Sequence, residues 1–337
     1  MPVIILRQLL NFIISLFVLT IFTFGLTHLF PEGVSLLIPQ DLDTGSSITQ
    51  IGESVANNGN LFSNYFQYLN QIYQGNLGLS SVRGSSVFDE FFIYFPATLE
   101  LSLVALIFAV FAGIPLGIIA AKNKNRWPDK LIVSSTLFGY SMPIFWWAIL
   151  LILFFSLWLG VTPVASRLGF EFDIQPLTGF MLADTLLSDK SYSIEAFYSA
   201  LHHLLLPAIA LGTIPLAVVT RSTRSAMISI LTEDYIRSAK ARGLSFTKVI
   251  WKHALRNAMI PVVTTIGLLI SILITGSLIT ESIFSWPGAG KWLLEAVYRR
   301  DFTVIHGAIL AIACFIILVH FLLDLLSIYL DPKRRRT

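Results

Sequence analysis

The sequence has little charge and almost no cysteine. Only 13% of its 337 residues are Asp, Glu, Lys or Arg, and 55% are hydrophobic; globular proteins average about 25% charged residues. So few charged side chains cannot cover a soluble protein of this length, which argues against disordered, collagen-like and soluble nucleic-acid-binding chains. The single cysteine, Cys314, excludes an internal disulfide framework and a multi-cysteine metal site. The composition indicates a membrane protein.

Catalytic and nucleotide-binding motifs are also missing. The sequence contains no H-E-x-x-H motif, no G-x-S-x-G elbow and no G-x-x-x-x-G-K-[ST] phosphate loop. The segment most similar to the phosphate loop is SWPGAGKW. It has Ser285 in place of the first glycine, and Trp292 follows Lys291 where the loop has Ser or Thr. The adjacent His202 and His203 would point about 100° apart on a helix, which is poor geometry for one metal ion. We therefore expect neither an enzyme nor a metal or cofactor in this chain.

Six apolar stretches are long enough to cross a bilayer as helices, which takes about 20 residues each. They are Leu9–Leu29, Ala97–Ala121, Leu131–Leu159, Leu201–Val219, Met259–Glu281 and Val304–Tyr329. Two run long, which suggests tilt or interfacial ends, and Pro207 and Pro215 interrupt the fourth. The first is too long for a signal peptide, so we expect an uncleaved helix. The sequence predicts an all-α polytopic membrane protein with six transmembrane helices.

Basic residues are distributed unevenly among the connecting segments. If the N-terminus is cytoplasmic, all but six of the 23 Lys and Arg residues fall in cytoplasmic segments. Cytoplasmic loops carry such an excess in membrane proteins. We therefore predict that the N- and C-termini are both cytoplasmic.

The outer segment after the first span contains two kinds of sequence. Residues 38–60 are rich in Gly, Ser, Asn and Asp, which predicts an irregular loop. Apolar residues then recur with the spacing of a short amphipathic helix; they are Phe62, Tyr65, Phe66, Leu69, Ile72 and Tyr73. Such a helix either lies on the outer face of the bundle or the bilayer, which we favour, or contacts substrate.

The loop Arg221–Ala258 carries eight basic residues and two acidic ones along a regular apolar stripe. The stripe continues helically from the fourth span, is interrupted at Gly243 and resumes after Ser245, a plausible N-cap. A helix–glycine–helix of this kind forms a compact knob that another protein can bind. A basic amphipathic segment lying on anionic lipid explains the composition equally well.

The segment Asp234–Val263, DYIRSAKARGLSFTKVIWKHALRNAMIPVV, resembles the cytoplasmic loop of inner-membrane permeases of binding-protein-dependent ABC transporters. There an acidic residue, an alanine, a glycine four residues later and a distal proline mark the coupling helix. Asp234, Ala239, Gly243 and Pro261 match them. Tyr235 replaces the first alanine of the general motif, as is typical of the dipeptide/oligopeptide/nickel permease branch.

Other segments extend this resemblance over essentially the whole chain. GNLGLS (Gly75–Ser80), FPATLELSL (Phe95–Leu103) and the segment Thr280–Leu310 resemble the outer-loop and linking signatures of the same branch. The segment TGFMLADTLLSD (Thr178–Asp189) is more similar to the Sap-type peptide permeases than to the dipeptide permeases.

The resemblance implies the MetI-like fold of ABC importer permeases in the bacterial inner membrane. It implies half of a translocation path for di- or oligopeptides or antimicrobial peptides, completed by a second homologous permease. Two ATP-binding subunits would hold ATP and Mg, and a periplasmic binding protein would deliver substrate. Membrane lipid is a further expected partner, and nucleic acid is not. The residues expected to couple to the ATPase subunits are Asp234, Tyr235, Ala239, Lys240, Arg242, Gly243, Leu244 and Pro261.

The expected organisation has four parts. These are a first transmembrane helix over 1–30, a periplasmic loop with a short amphipathic helix over 31–96, a five-helix permease core over 97–329 that contains the 221–258 coupling loop, and a basic cytoplasmic tail over 330–337. Glycines and prolines in spans two to five suit helices that slide or open, although they also permit close packing.

Carboxylates within the spans are costly and are candidates for function. Glu100 and Glu281 lie near the outer ends of their spans, where either could meet the amine of a peptide or could snorkel to the interface. Alternatives to peptide transport are nickel or polyamine transport within the same family, or a membrane anchor or sensor without transport.

Overall fold

The computed structural model describes residues 2–29 and 61–330, and most of these residues are helical. The helices are α1 (Pro2–Leu29), α2 (Leu61–Tyr73), α3 (Val87–Lys122), α4 (Trp127–Ser141), α5 (Ile144–Leu151), α6 (Met181–Leu187), α7 (Ser193–Leu231), α8 (Asp234–Ala241), α9 (Phe246–Lys248), α10 (Leu255–Ile283), α11 (Ala289–Arg299) and α12 (Phe302–Leu330). Within the described ranges, β-type pairing is limited to one antiparallel bridge between Leu79 and Ser86. The predicted irregular loop over 38–60 and the basic tail after residue 330 lie outside the described residues.

Among the residues that the structure describes, five helices are long and apolar enough to cross a membrane. These are α1, α3, α7, the continuous helix Val249–Ile283 that contains α10, and α12. The pair formed by α4 and the helix Ile144–Trp158 counts as a sixth if its two halves form one span. The prediction of an all-α polytopic membrane protein is therefore confirmed, and the six predicted stretches fall on these elements. The orientation of the termini stays a prediction.

The third predicted span is sharply bent. α4 ends at Ser141, α5 begins at Ile144, and the two halves of the pair differ in direction by 106°. A proline disfavours helical backbone in the preceding residue, and Met142, just before Pro143, is extended with ψ 132°. After α5 the helix continues as a π-helical stretch, Ile152–Trp158. The extra length of Leu131–Leu159 belongs to this broken helix pair, and the tilt or interfacial ends expected for the stretch stay a prediction.

α7 is one unbroken helix of 39 residues despite Pro207 and Pro215. It packs against α4, α5, α6 and α10, and neighbouring helices of this kind allow proline inside a membrane helix. Glycines shape its contact with α3. A Cβ on Gly117 would overlap Thr223, and one on Gly212 would overlap the Ala105 carbonyl. Close packing therefore accounts for these two glycines.

The chain divides into two compact units, Met1–Phe95 with Trp292–Leu322, and Pro96–Lys291 with Leu323–Thr337. Within the first, α2 lies against α1, and the turn before α3 is hydrogen-bonded to Asp301. Within the second, small and branched residues of α3, α7 and α10 form the central core, which also contains Trp286.

Candidate coupling site

The predicted helix–glycine–helix is present at the end of α7. α7 ends at Leu231, α8 covers Asp234–Ala241, and a helical segment begins again at Phe246. Gly243 lies between them with φ +79°, a left-handed conformation that glycine adopts without the steric cost of a Cβ. The glycine thus makes the turn that lets the two helices fold against each other.

One face of α8 is buried within the chain. Ile236 and Ala239 are 0% and 1% exposed and belong to a cluster with Met227 of α7 and Val249 and Ile250. Because Ala239 is enclosed here, it cannot contact an ATPase directly. Ala239 holds α8 against α7, and its expected part in coupling to the ATPase subunits stays a prediction.

The opposite face of α8 and the following turn are open. Asp234, Tyr235, Arg242 and Gly243 are exposed, and Leu244 is half-buried. A Cβ placed on Gly243 would meet no atom within 4 Å. The chain itself therefore leaves room around this glycine, and another protein can approach its backbone.

Tyr235 and Pro261 both affect the backbone turn of α10 that contains Asn257. The Asn257 amide donates a 2.8 Å hydrogen bond to the Tyr235 hydroxyl, which links α8 to the beginning of α10. Pro261 lies four residues after Asn257 inside the same helix, and its missing N–H leaves the Asn257 carbonyl without its helical partner. The turn just before α10, Val249–Ala254, is π-helical. The helix that receives α8 is thus irregular where the two meet.

An ion pair that the sequence analysis did not identify fixes α4 to the same end of α7. The Arg224 guanidinium donates two hydrogen bonds to the Asp129 carboxylate, at 2.6 and 2.7 Å. Asp129 is 3% exposed and also accepts from the Asn125 N–H. A bidentate pair of this kind is directional as well as strong. Nothing in the sequence links two residues 95 positions apart, although Asp in the first turn of α4 is itself a common feature of helix N-termini.

Glu100 is enclosed within the chain. It is 4% exposed; its Oε2 accepts from Arg167 at 2.6 Å and its Oε1 from the Leu182 N–H at 2.8 Å. Arg167 also donates to the Gly179 carbonyl and lies over the Trp286 ring. The expectation that Glu100 meets a peptide amine, or snorkels to the interface, is therefore replaced by a structural ion pair that holds the segment before α6.

Glu281 is likewise enclosed, with 0% exposure. Its carboxylate accepts from the Thr98 hydroxyl at 2.7 Å and from the Lys291 N–H at 2.9 Å. A Cβ on Gly288 or Gly290 would overlap this carboxylate. Gly288 and Gly290, which lie in the sequence similar to a phosphate loop, thus make room for the Glu281 side chain. The expectation that Glu281 meets a peptide amine or snorkels to the interface is replaced by these contacts within the chain.

Three comparisons place these features in a family. Residues 113–336 match the family described as the inner-membrane component of binding-protein-dependent transport systems. The di/tripeptide transport system permease protein of Pseudomonas aeruginosa is 46% identical over 322 residues, covering 95% of each chain. The dipeptide transport system permease protein of Escherichia coli K12 is 44% identical over 323 residues, covering 94% of each.

A Sap-type relative is more distant. The peptide transport system permease protein SapB of Salmonella typhimurium is 33% identical over 331 residues, covering 98% of this chain and 97% of the relative. The lean toward the Sap-type permeases drawn from Thr178–Asp189 is therefore outweighed by the rest of the chain.

Among solved structures, an inward-facing form of the methionine ABC transporter MetNI matches with a TM-score of 0.53 at 15% identity, covering 70% of this chain and 93% of the other. This likeness confirms the MetI-like fold. The chain belongs to the family of inner-membrane components of binding-protein-dependent transport systems.

Proposed function

We propose that the chain is the permease subunit of an ABC transporter that moves di- or oligopeptides across the bacterial inner membrane. The names of its relatives, dipeptide and di/tripeptide permeases at 44–46% identity, support the substrate class. The observation that carries the mechanism is the open turn at Gly243, beside a helix that is buried on one face and exposed on the other. Separate ATP-binding subunits hydrolyse ATP, for which this sequence has no phosphate loop, and a substrate-binding protein delivers the peptide.

The packing gives a route from the turn to the spans. An ATPase subunit that binds the exposed side of α8 and the Gly243 turn moves the buried Ile236 and Ala239 with it. These residues contact the end of α7 and the helix Val249–Ile283. Because close-packed interiors transmit displacement, a push on α8 tilts two long spans together.

We further propose that the Gly243 end of the bundle is cytoplasmic, which the distribution of basic residues supports. The termini then lie on the same side, where two ATPase subunits bind. The binding protein meets the opposite side, and a second homologous permease completes the path. Peptide is favoured over polyamine because the dipeptide and di/tripeptide permeases, at 44–46% identity, are more similar to this chain than the putrescine export permease SapB of Escherichia coli K12, at 34%.

The experiment is affinity purification of the tagged chain in mild detergent, with mass spectrometry of the proteins that copurify and uptake of a labelled dipeptide by reconstituted vesicles. We expect a second six-span permease, ATP-binding subunits and ATP-dependent uptake. Recovery of the chain alone in a folded preparation contradicts the proposal and favours a membrane anchor or sensor. Recovery of the complex with uptake of nickel or polyamine only would overturn the substrate class while leaving the permease role intact.

A further inference from the structure

The short helix α2 has three distinct faces and no charged residue. Its sequence is LFSNYFQYLNQIY. One face contacts α1 through Tyr65 and Tyr68, a second carries Phe62, Phe66 and Tyr73, and a third carries Gln67 and Asn70. The second and third faces are exposed, one apolar and one polar. This division is that of a helix lying in the boundary between water and acyl chains.

The contacts on α1 set the depth of α2. The Tyr68 hydroxyl donates a 2.8 Å hydrogen bond to Thr23, and the Tyr65 hydroxyl is 2.9 Å from that of Thr20. The Tyr65 ring also lies edge-on to Phe17. The apolar span of α1 ends at Thr27, so at 1.5 Å per residue Thr20 lies about 10 Å inside that end. α2 therefore crosses α1 at the depth of the acyl chains in one leaflet.

The apolar face of α2 continues the lipid-facing surface of α1. Phe62 and Phe66 are 68% and 54% exposed and contact each other with ring centroids 4.8 Å apart. The Phe66 ring meets Tyr65, which in turn meets the exposed Phe17 of α1. α1 is long and apolar enough to cross a membrane, and most of its apolar side chains are exposed. The apolar face of α2 is therefore continuous with the exposed apolar surface of a candidate membrane span.

We propose that α2 is an interfacial helix that binds acyl chains of the leaflet at the C-terminal end of α1, with Phe62 and Phe66 inserted. The partly buried tyrosine–threonine hydrogen bonds satisfy the hydroxyls that acyl chains would leave unpaired. The polar face with Gln67 and Asn70 then meets the headgroups. The helix anchors the turn that follows it, Gly75–Ser80, at a fixed depth in the bilayer. This proposal is the alternative to a substrate-contacting role for α2.

Spin-label accessibility in reconstituted vesicles tests the inference. In a Cys314→Ala chain assembled with cysteine-free partner subunits, labels are placed at Phe62→Cys, Phe66→Cys and, on the polar face, Gln67→Cys. Val18→Cys on α1 is the lipid reference and the fully exposed Phe170→Cys is the water reference. Dipeptide uptake by each labelled complex is measured in parallel, so that a failure of assembly is distinguished from a misplaced helix.

We expect labels at Phe62 and Phe66 to match Val18, with high accessibility to oxygen and low accessibility to a water-soluble nickel chelate, and Gln67 to be the more accessible to nickel. Labels at Phe62 and Phe66 that match Phe170 place the helix in water and overturn the inference. Labels shielded from both reagents show that protein covers the face, which overturns it as well.

Discussion

The Ser80 hydroxyl donates a 2.5 Å hydrogen bond to the Asp301 carboxylate, 221 residues further along the chain. The same carboxylate accepts from the N–H groups of Ser81 and Val82, and from that of Val304 in the first turn of α12. Asp301 thus caps α12 and at the same time holds the turn after Gly75. Two segments that the sequence analysis singled out separately are one structural element.

Asp301 should therefore be important for stability. Asp301→Ala leaves four donors without their acceptor, and we expect it to lower the free energy of unfolding by about 3 kcal/mol. Thermal unfolding of the purified complex measures the loss. Ser81→Ala is the matched control, because it keeps the backbone N–H and removes only an exposed hydroxyl; its effect should stay within about 0.5 kcal/mol. Equal Tm values for the two variants would contradict this role.

The helices could be predicted from the sequence, and the contacts of their polar residues could not. Length and hydropathy locate the spans because a bilayer demands about 20 apolar residues. The 106° bend in the third stretch was not foreseen, although Pro143 marks it, because Pro207, Pro215 and Pro261 lie inside continuous helices of other spans.

For the candidate site too, the positions of the helices could be predicted from the sequence, and the contacts of individual side chains could not. The position of Gly243 between two helices follows from the apolar period. The burial of Ala239 depends on which face of α8 meets α7, and the partners of Glu100 and Glu281 lie on distant segments. A polar residue in a span signals a constraint but does not show whether a substrate or another side chain provides it.

The glycine-rich turn before α11 should tolerate no side chain at Gly288. Gly288→Ala places a methyl group against the fully buried Glu281 carboxylate, and we expect a loss of about 2 kcal/mol or more from overpacking. Gly276→Ala is the control within α10, where the new Cβ meets only a Leu211 methyl at 3.7 Å and helix propensity improves by up to about 1 kcal/mol. The Tm should fall for the first and hold or rise for the second. If both variants unfold like the parent chain, the turn does not enclose Glu281.

The Glu100–Arg167 pair should behave as structure and not as a substrate contact. Arg167→Met strands a buried carboxylate, which we expect to cost about 3–5 kcal/mol. Adding Glu100→Gln should restore more than half of that stability, because the amide can still accept from Leu182. The preference among peptides in uptake assays should not change. An altered KM for one peptide class in Glu100→Gln, with an unchanged Tm, would return Glu100 to the transport path.

Arg224→Lys should weaken the attachment of α4 to α7. A lysine keeps the charge but cannot form the bidentate contact that Arg224 makes with Asp129. We expect a loss of about 1–2 kcal/mol, on the scale of one charge-assisted hydrogen bond, and a lower Tm. Arg237→Lys is the control, since its contact with Asp234 is solvent-exposed at 3.6 Å. A Tm for Arg224→Lys no lower than that of the control would show that α4 does not depend on this pair.

The central claim is that the open turn at Gly243 couples ATP hydrolysis to transport, and its most direct test is paired measurement of ATPase activity and dipeptide uptake in vesicles. Gly243→Asn is the control, because asparagine tolerates the left-handed backbone and adds a small side chain where nothing lies within 4 Å. Gly243→Trp fills the same space. We expect the tryptophan variant to insert and fold, yet to lose at least about tenfold in uptake per ATP hydrolysed, within the range of typical couplings between sites. The asparagine variant should retain most of its coupling. Unaltered uptake per ATP in Gly243→Trp would contradict the account.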